Sequence, residues 1–339
     1  MSLPPSGEIP QGAIRFNTDS QKLEFYAQGE WWVMSTDTPN LAQSGEATPG
    51  ARGLTGGGYG PSVTAEILFW NIASLSNGED FGDLTEARGY TGGVSSRTRA
   101  VWSGGHNPSA VDTIDFVTMA STGNATVFGE LGEGNRLHMG SAGNQTRGIN
   151  AGGEAPSDVN IIDYITIAST GDSIDFGDLS RVAEGPGAVA SSTRAVFSGG
   201  FAPSSSILIE YVTIATTGSI EDFGDLSKIN AGQGGGSNPV RGLFGGGADP
   251  GPSVSIESIY IASTGNAVRF GDLTQNRRYP GCASSPTRCT WVGGLNPAAE
   301  DRMDYVEFAT EGNAVDFGDL NNIMYALTGS GCSNAHGGL

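Results

Sequence analysis

Lysine is nearly absent from this 339-residue chain: Lys22 and Lys228 are the only two. Seventeen basic residues face 36 acidic ones, for a formal net charge of −19. The chain therefore lacks the basic footprint that nucleic-acid binding needs, and no nucleic-acid partner is expected. Histidine occurs three times, as His106, His138 and His336, far apart and without metal-ligand spacing. Cysteine also occurs three times, too few for a disulfide framework in a chain this long. A Cys282–Cys332 bridge is open but disfavoured. No stretch approaches the roughly 18 apolar residues of a membrane helix. Met1-Ser2-Leu3-Pro4-Pro5 has neither the basic nor the apolar part of an export signal. A soluble protein without membrane insertion is expected. No apolar stripe of period 3.6 recurs, which excludes helical repeats.

Glycine, by contrast, is abundant at 54 residues, more than twice its usual share of about 7%. No Gly-X-Y period accompanies it. Short β-branched and aromatic runs alternate with glycine clusters, which reads as many short strands joined by tight turns. Phe-Gly-acid-Leu occurs six times, beginning at Phe81, Phe128, Phe176, Phe223, Phe270 and Phe317. Its spacings are 47, 48, 47, 47 and 47. An arginine that opens an apolar run ending in Gly-Gly recurs in the same register, at Arg52, Arg99, Arg147, Arg194, Arg241 and Arg288.

Four strands fit in each period. After Arg194 come Ala195–Ser198, then Ile207–Ala215, then a strand beginning at Ile220–Phe223, then the glycine-rich Gly232–Ser237. The second is apolar on both faces, as a strand sandwiched between neighbouring sheets would be. Four short strands per period of 40–50 residues is the signature of a β-propeller. The expected fold is all-β, a six-bladed propeller over 52–339 with repeats starting near 52, 99, 147, 194, 241 and 288. The glycine-rich strand is expected innermost. A leftover strand at about 324–332 would complete the first blade and latch the ring, with His336 where a seventh arginine would fall.

Residues 1–35 read as a small β-hairpin module, with Ile14 and Phe16 alternating, then Leu23 and Phe25, then Trp31 and Trp32. So small a piece is not stable alone, so it is expected to dock on the propeller, on a copy of itself or on another protein. Residues 36–51 read as a linker.

The Gly-Gly strand followed by a tyrosine-bearing strand and then an aromatic one resembles the kelch repeat over residues 52–336. It departs from kelch in placing Phe, not Trp, 12 positions after the tyrosine, as from Tyr164 to Phe176. The wording Ile162-Asp163-Tyr164-Ile165-Thr166-Ile167-Ala168-Ser169-Thr170-Gly171 with Asp175-Phe176-Gly177-Asp178-Leu179 resembles repeats in virion structural proteins of tailed phages, notably those of cyanobacteria. Gly12–Asp19 to Trp31-Trp32-Val33 is similar to a hairpin of phage tail-fibre proteins. The resemblance implies a virion protein assembled in the host cytoplasm, probing a host-surface glycan or protein. It also implies contact with other virion proteins through the hairpin, as a homo-oligomer with a trimer favoured. Capsid or tail decoration and a cellular kelch-like adaptor are the alternatives.

Two sets of residues repeat too regularly to be a specific site. The six arginines are expected to pair with backbone carbonyls or acids of their own repeat. Asp83, Glu130, Asp178, Asp225, Asp272 and Asp319 are expected to cap turns. One acid per turn is thin for calcium, and a ring of acids lining a channel is the alternative. Asp-Phe-Gly here lacks the remaining kinase motifs. The Gly-Gly-Gly runs lack a following Gly-Lys-Ser/Thr, and no Gly-X-Ser-X-Gly elbow or Asp-box occurs. Neither catalysis nor a cofactor is expected. The loops that break the repeat are the candidate binding face. After Gly-Gly they carry Tyr59, His106 and Phe201. After Phe-Gly-acid-Leu they carry Arg88, Arg136, His138, Arg181, Lys228, Arg277, Arg278 and Tyr279.

Overall fold

The computed structural model describes residues 9–17, 22–33, 52–248 and 250–339. It divides into two compact units, Met1–Glu46 and Ala47–Leu339. The 36–51 linker lies outside the described residues, and among the described residues the regular structure is all β.

In the first unit, β1 (Ile14–Asn17), β2 (Lys22–Ala27) and β3 (Glu30–Val33) form an antiparallel sheet. Ile14 sits opposite Phe25, Phe25 opposite Trp32, and Phe16 opposite Leu23. Strand alternation puts these five positions on one face. Ile14, Phe16 and Trp32 there are 61%, 60% and 49% exposed, so this face is largely uncovered. The Leu23 side chain lies outside the described residues. Trp31 belongs to the opposite face. There Arg15 pairs with Glu24 at 2.7 Å and lies 4.2 Å over the Trp31 ring, which meets Tyr26 at 5.3 Å.

The second unit opens with β4 (Arg52–Tyr59), β5 (Val63–Asn71) and β6 (Glu79–Asp83). Next come β7 (Gly92–Ser95), β8 (Arg99–Ser103), β9 (Thr113–Thr118) and β10 (Thr126–Glu130), then β11 (Gly140–Gly143), β12 (Arg147–Ala151), β13 (Ile161–Thr166) and β14 (Ile174–Asp178). They are followed by β15 (Gly187–Ala190), β16 (Arg194–Ser198), β17 (Ser206–Thr213), β18 (Glu221–Ser237), β19 (Arg241–Ala248), β20 (Ser253–Tyr260) and β21 (Val268–Arg277). The last are β22 (Gly281–Ser284), β23 (Arg288–Val292), β24 (Glu300–Glu307), β25 (Val315–Met324) and β26 (Cys332–Ser333).

These strands form antiparallel four-stranded sheets, numbered here 1 to 6 in chain order. Sheets 4 and 5 merge into one seven-stranded sheet because β18 runs unbroken for 17 residues, pairing with β17 in its first half and β19 in its second. Sheet 1 is completed by the far end of the chain: Cys332 and Ser333 pair with Leu54 and Gly53, and Tyr325 bridges to Tyr59. The innermost strands β7, β11, β15, β18, β22 and β26 touch one another in that order, and β26 touches β7. Each neighbouring pair of sheets encloses its own apolar core. One gathers Leu54, Phe81 and Trp102 between sheets 1 and 2, and another gathers Trp70, Val292 and Phe317 between sheets 6 and 1. The architecture is propeller-like.

The Phe-Gly-acid-Leu motif has a geometric cause. The phenylalanine is the extra residue of a β-bulge, skipped in the pairing between Val127 and Gly129 for example. The bulge turns its ring into the core between sheets, where Phe81 and Phe128 are 2% and 3% exposed. Its carbonyl accepts the N–H of a turn glycine in the next sheet, Gly123 to Phe81 at 2.7 Å and Gly265 to Phe223 at 2.7 Å. The following glycine must lie close to that turn. A Cβ on Gly82, at φ +146°, would stand 2.5 Å from the Gly123 carbonyl.

The closing segment departs from the even repeat. Ser284 precedes Arg288 by four residues, so an even repeat would pair Ser330 with Leu54, where Cys332 is found instead. Two extra residues let Gly329–Gly331 bulge toward the axis. The Gly93 N–H reaches the Gly329 carbonyl at 2.5 Å and the Trp102 indole reaches the Ser330 carbonyl at 2.8 Å. His336 consequently falls one residue short of the arginine position and turns inward to Ser95.

Candidate binding face at the loop end of the sheets

The six repeated arginines bond to the scaffold, whereas the six repeated acids contribute to it through their backbone N–H and not as carboxylate caps. Each arginine Nη1 donates to a carbonyl of the next sheet, 67 or 68 residues on for the first five. Arg52 reaches Met119 at 2.5 Å, Arg99 Ile167 at 3.0 Å, Arg147 Ile214 at 2.9 Å, Arg194 Ile261 at 3.0 Å and Arg241 Phe308 at 3.1 Å. Arg288 closes the circle on Ala73 of sheet 1, at 2.9 Å. Each guanidinium also lies on an aromatic ring, from 4.4 Å for Arg194 over Tyr211 to 5.5 Å for Arg241 over Phe270. The acids Asp83, Glu130, Asp178, Asp225, Asp272 and Asp319 sit on the outermost strands, away from the axis, so they line no channel. The backbone N–H of Asp83, Asp225, Asp272 and Asp319 donates to Asn124, Asn266, Asn313 and Asn77 at 3.1–3.2 Å, and that of Glu130 to Asp172 at 3.0 Å.

The loop-face cations need a correction. Arg88, Arg136 and Arg277 are fully buried and cannot meet a partner. Arg88 pairs with Asp115 at 2.9 Å, Arg277 with Asp304 at 2.7 Å, and Arg136 with Asp163, every one of these side chains 0% exposed. A buried charge persists only when paired and hydrogen-bonded. Burial pushes the Asp163 carboxyl up and Arg136 opposes it, and burial lowers the Arg277 guanidinium while Asp304 opposes that. The matching positions in sheet 1 are Leu68 and Met324, which share an apolar core. Arg181 is half-buried and donates to the Gly199 carbonyl at 2.6 Å. Lys228 and Phe201 are exposed, Phe201 at 45%.

The two loop sets do share one end of the unit. Gly89 bridges to His106, Leu137 to Glu154, Glu184 to Phe201, Arg278 to Leu295 and Tyr325 to Tyr59. Just inside this ring lies a second, of residues held at positive φ: Tyr90 (57°), His138 (60°), Gly185 (60°), Gly232 (65°), Tyr279 (59°) and Ala326 (62°). Three carry rings and three are small. Tyr90 meets His138 at 4.7 Å and Tyr279 at 5.7 Å, and His138 meets Tyr279 at 5.1 Å. The small residues make room: a Cβ on Gly185 would stand 2.8 Å from the His138 ring, and one on Gly232 2.5 Å from the Tyr279 ring. Tyr59 extends the aromatic sector to Tyr90, Tyr325 and His106, whose Nδ1 lies 2.6 Å from its hydroxyl.

His138 Nδ1 meets Glu184 Oε1 at 2.7 Å, and this bond holds the Glu184 carboxyl below the usual range. Burial raises the Tyr90 and Tyr279 hydroxyls, so both are neutral donors at pH 7. Glu184 in turn helps raise Asp158, whose main cause is burial. Tyr90, Glu184, Asp158 and Tyr325 escaped the sequence reading. Their signal was positional: Tyr90 stands two residues before Gly92 as His138 does before Gly140.

The axis itself offers little room. Its cavity of about 50 Å³ is lined by Ser95, Ser141, Ala190, Ser237, Cys282 and His336 among others, a space on the scale of one or two waters. All three cysteines are free thiols. Cys282 lies 3.4 Å from Cys289, not beside Cys332, and burial pushes the Cys332 thiol up to about 12. Among the described residues no group of three or more His, Cys, Asp and Glu is placed to hold a metal.

Compared with models of known protein families, the chain matches none, and a search of curated proteins gives no match either.

Proposed function

We propose that the second unit is a six-bladed kelch-like β-propeller that serves as a non-enzymatic binding module, and that the chain is a tail-fibre or fibre-like structural protein of a tailed phage. One observation carries the binding part. A single backbone arrangement recurs around the axis, yet the residues it presents at the loop end differ at each station: Tyr59, His106, Glu154, Phe201, Ala248 and Leu295. A rigid scaffold with varied residues at one end is the usual arrangement for recognition. The virion part rests on the wording of the repeats and of the hairpin. In this reading the apolar face of Ile14, Phe16, Phe25 and Trp32 joins copies of the chain, as a trimer, or docks on another virion protein. The loop end then meets a host-surface glycan or protein.

Gold-labelled antibody against the second unit, imaged on intact phage particles, tests the reading. Label at fibre tips supports it. Label spread over head or tail tube favours decoration, and particles without label leave a cellular adaptor.

A further inference from the structure

The buried His138 points to a specific chemistry. Its side chain is about 3% exposed, and Nε2 has no hydrogen-bond partner. In the neutral ring that donates Nδ1–H to the Glu184 carboxylate at 2.7 Å, Nε2 carries a lone pair and is an acceptor without a donor. Leaving such an atom unmet is costly, and a native structure that bears this cost calls for an explanation. Around it stand the Tyr90 and Tyr279 rings, with negative faces that attract cations. Tyr279 already receives one within the molecule, Arg278 at 5.3 Å from its centroid. Glu184 bonds to His138 and interacts electrostatically with Tyr279 and with Asp158, in a chain of net charge −19. Acceptor, ring faces and carboxylates together are complementary to a group that is cationic and carries N–H donors.

We infer that the loop-side mouth of the axis binds a primary ammonium group, with an N–H on His138 Nε2, the charge over Tyr90 or Tyr279, and Glu184 and Asp158 as counter-ions. This rests on the binding-face reading above and names its ligand class: a primary amine such as that of an amino sugar. Nε2 is covered, with Gly185 packed against it, so a neighbouring group must move for the amine to enter. Acidic saccharides and polyanions are repelled.

The test is a titration of the full chain at pH 7 with glucosamine, N-acetylglucosamine and tetramethylammonium. Calorimetry is paired with the Cε1–H resonance of His138, one of only three histidines. Glucosamine is expected to bind and to shift that resonance. N-acetylglucosamine, which lacks the charge, and tetramethylammonium, which lacks the N–H, are each expected to bind at least tenfold more weakly. Glu184→Gln should weaken glucosamine at least tenfold with the circular dichroism unchanged; should that variant misfold, Asp158→Asn should weaken it severalfold. Equal affinity for glucosamine and either control, or no binding of glucosamine, overturns the inference. Loss of ammonium binding together with label at fibre tips would sink this ligand class and leave the binding module standing.

Discussion

The chain contains its own control for the buried ion pairs. Sheet 6 encloses Arg277 and Asp304, while the matching positions of sheet 1 hold Met324 and Leu68 in the same backbone frame. Arg277→Met leaves the Asp304 carboxylate buried with only the Thr274 N–H and hydroxyl, at 3.1 and 2.7 Å. Breaking one side of such a pair costs about 3–5 kcal/mol. Asp304→Leu alone strands the guanidinium and should cost a similar amount. The double variant restores the pairing that sheet 1 uses. It gives up the Arg277 bonds to the Arg302 and Trp291 carbonyls, at 3.1 and 3.5 Å, and the two Thr274 bonds; with the new apolar side chains offsetting part of this, it should lie about 2–4 kcal/mol below the parent. The coupling should therefore be several kcal/mol, read from urea unfolding followed by Trp291 fluorescence and far-ultraviolet dichroism, with coincident transitions required. Additive losses, with coupling under about 0.5 kcal/mol, would refute the view that these charges are tolerated only as a pair.

Three further outcomes follow from the same geometry. Arg288→Gln removes the link from sheet 6 to Ala73 of sheet 1 and the stacking on Tyr305 at 4.7 Å; it should cost about 1–3 kcal/mol, and an unchanged urea midpoint would contradict the clasp. Gly224→Ala places a Cβ 2.6 Å from the Gly265 backbone at φ +145°, whereas Gly265 itself has nothing within 4 Å; the first change should cost clearly more than Gly265→Ala, and equal losses would show that φ alone matters. His336 lies 2.9 Å from the Ser95 carbonyl through Nε2 and accepts the Gly338 N–H at Nδ1, 3.1 Å away, and burial lowers its pKa below 6.5. Its neutral form is the docked one, so the stability it contributes is full above about pH 6.5 and falls as pH drops toward the lower folded value; amide protection over 334–339, referenced to the intrinsic exchange rate at each pH, should fall from pH 7.5 to 5.5, and unchanged protection would refute it.

The repeat was legible because backbone geometry dictates it. The glycine of Phe-Gly-acid-Leu must approach the next sheet, and the arginine must reach a carbonyl, so both recur wherever the geometry does. Burial of individual cations was not legible. Arg277 and Arg278 are adjacent in sequence, one fully buried and the other half-exposed. What separates them is Asp304, 27 residues away, and nothing in the local sequence points to it. The two extra residues around Gly329–Gly331 escaped for a related reason. The repeat ends there, with no following arginine to expose a change of spacing. The opposite faces of Trp31 and Trp32 were implicit in strand alternation, but both had been grouped by hydrophobicity. The aromatic mouth would have emerged from comparing columns across repeats instead of loops along the chain.

Arg52 opens the ring and also reaches across to sheet 2. The joint between the chain's ends in sheet 1 is short, two paired residues and one bridge. Tension arriving through the residues before Arg52 would by itself pry that joint apart. The Arg52 guanidinium, anchored on the Met119 carbonyl and lying 5.0 Å from the Phe69 ring, instead passes part of the load into the neighbouring sheet. Force applied at Arg52 is thereby shared by two sheets.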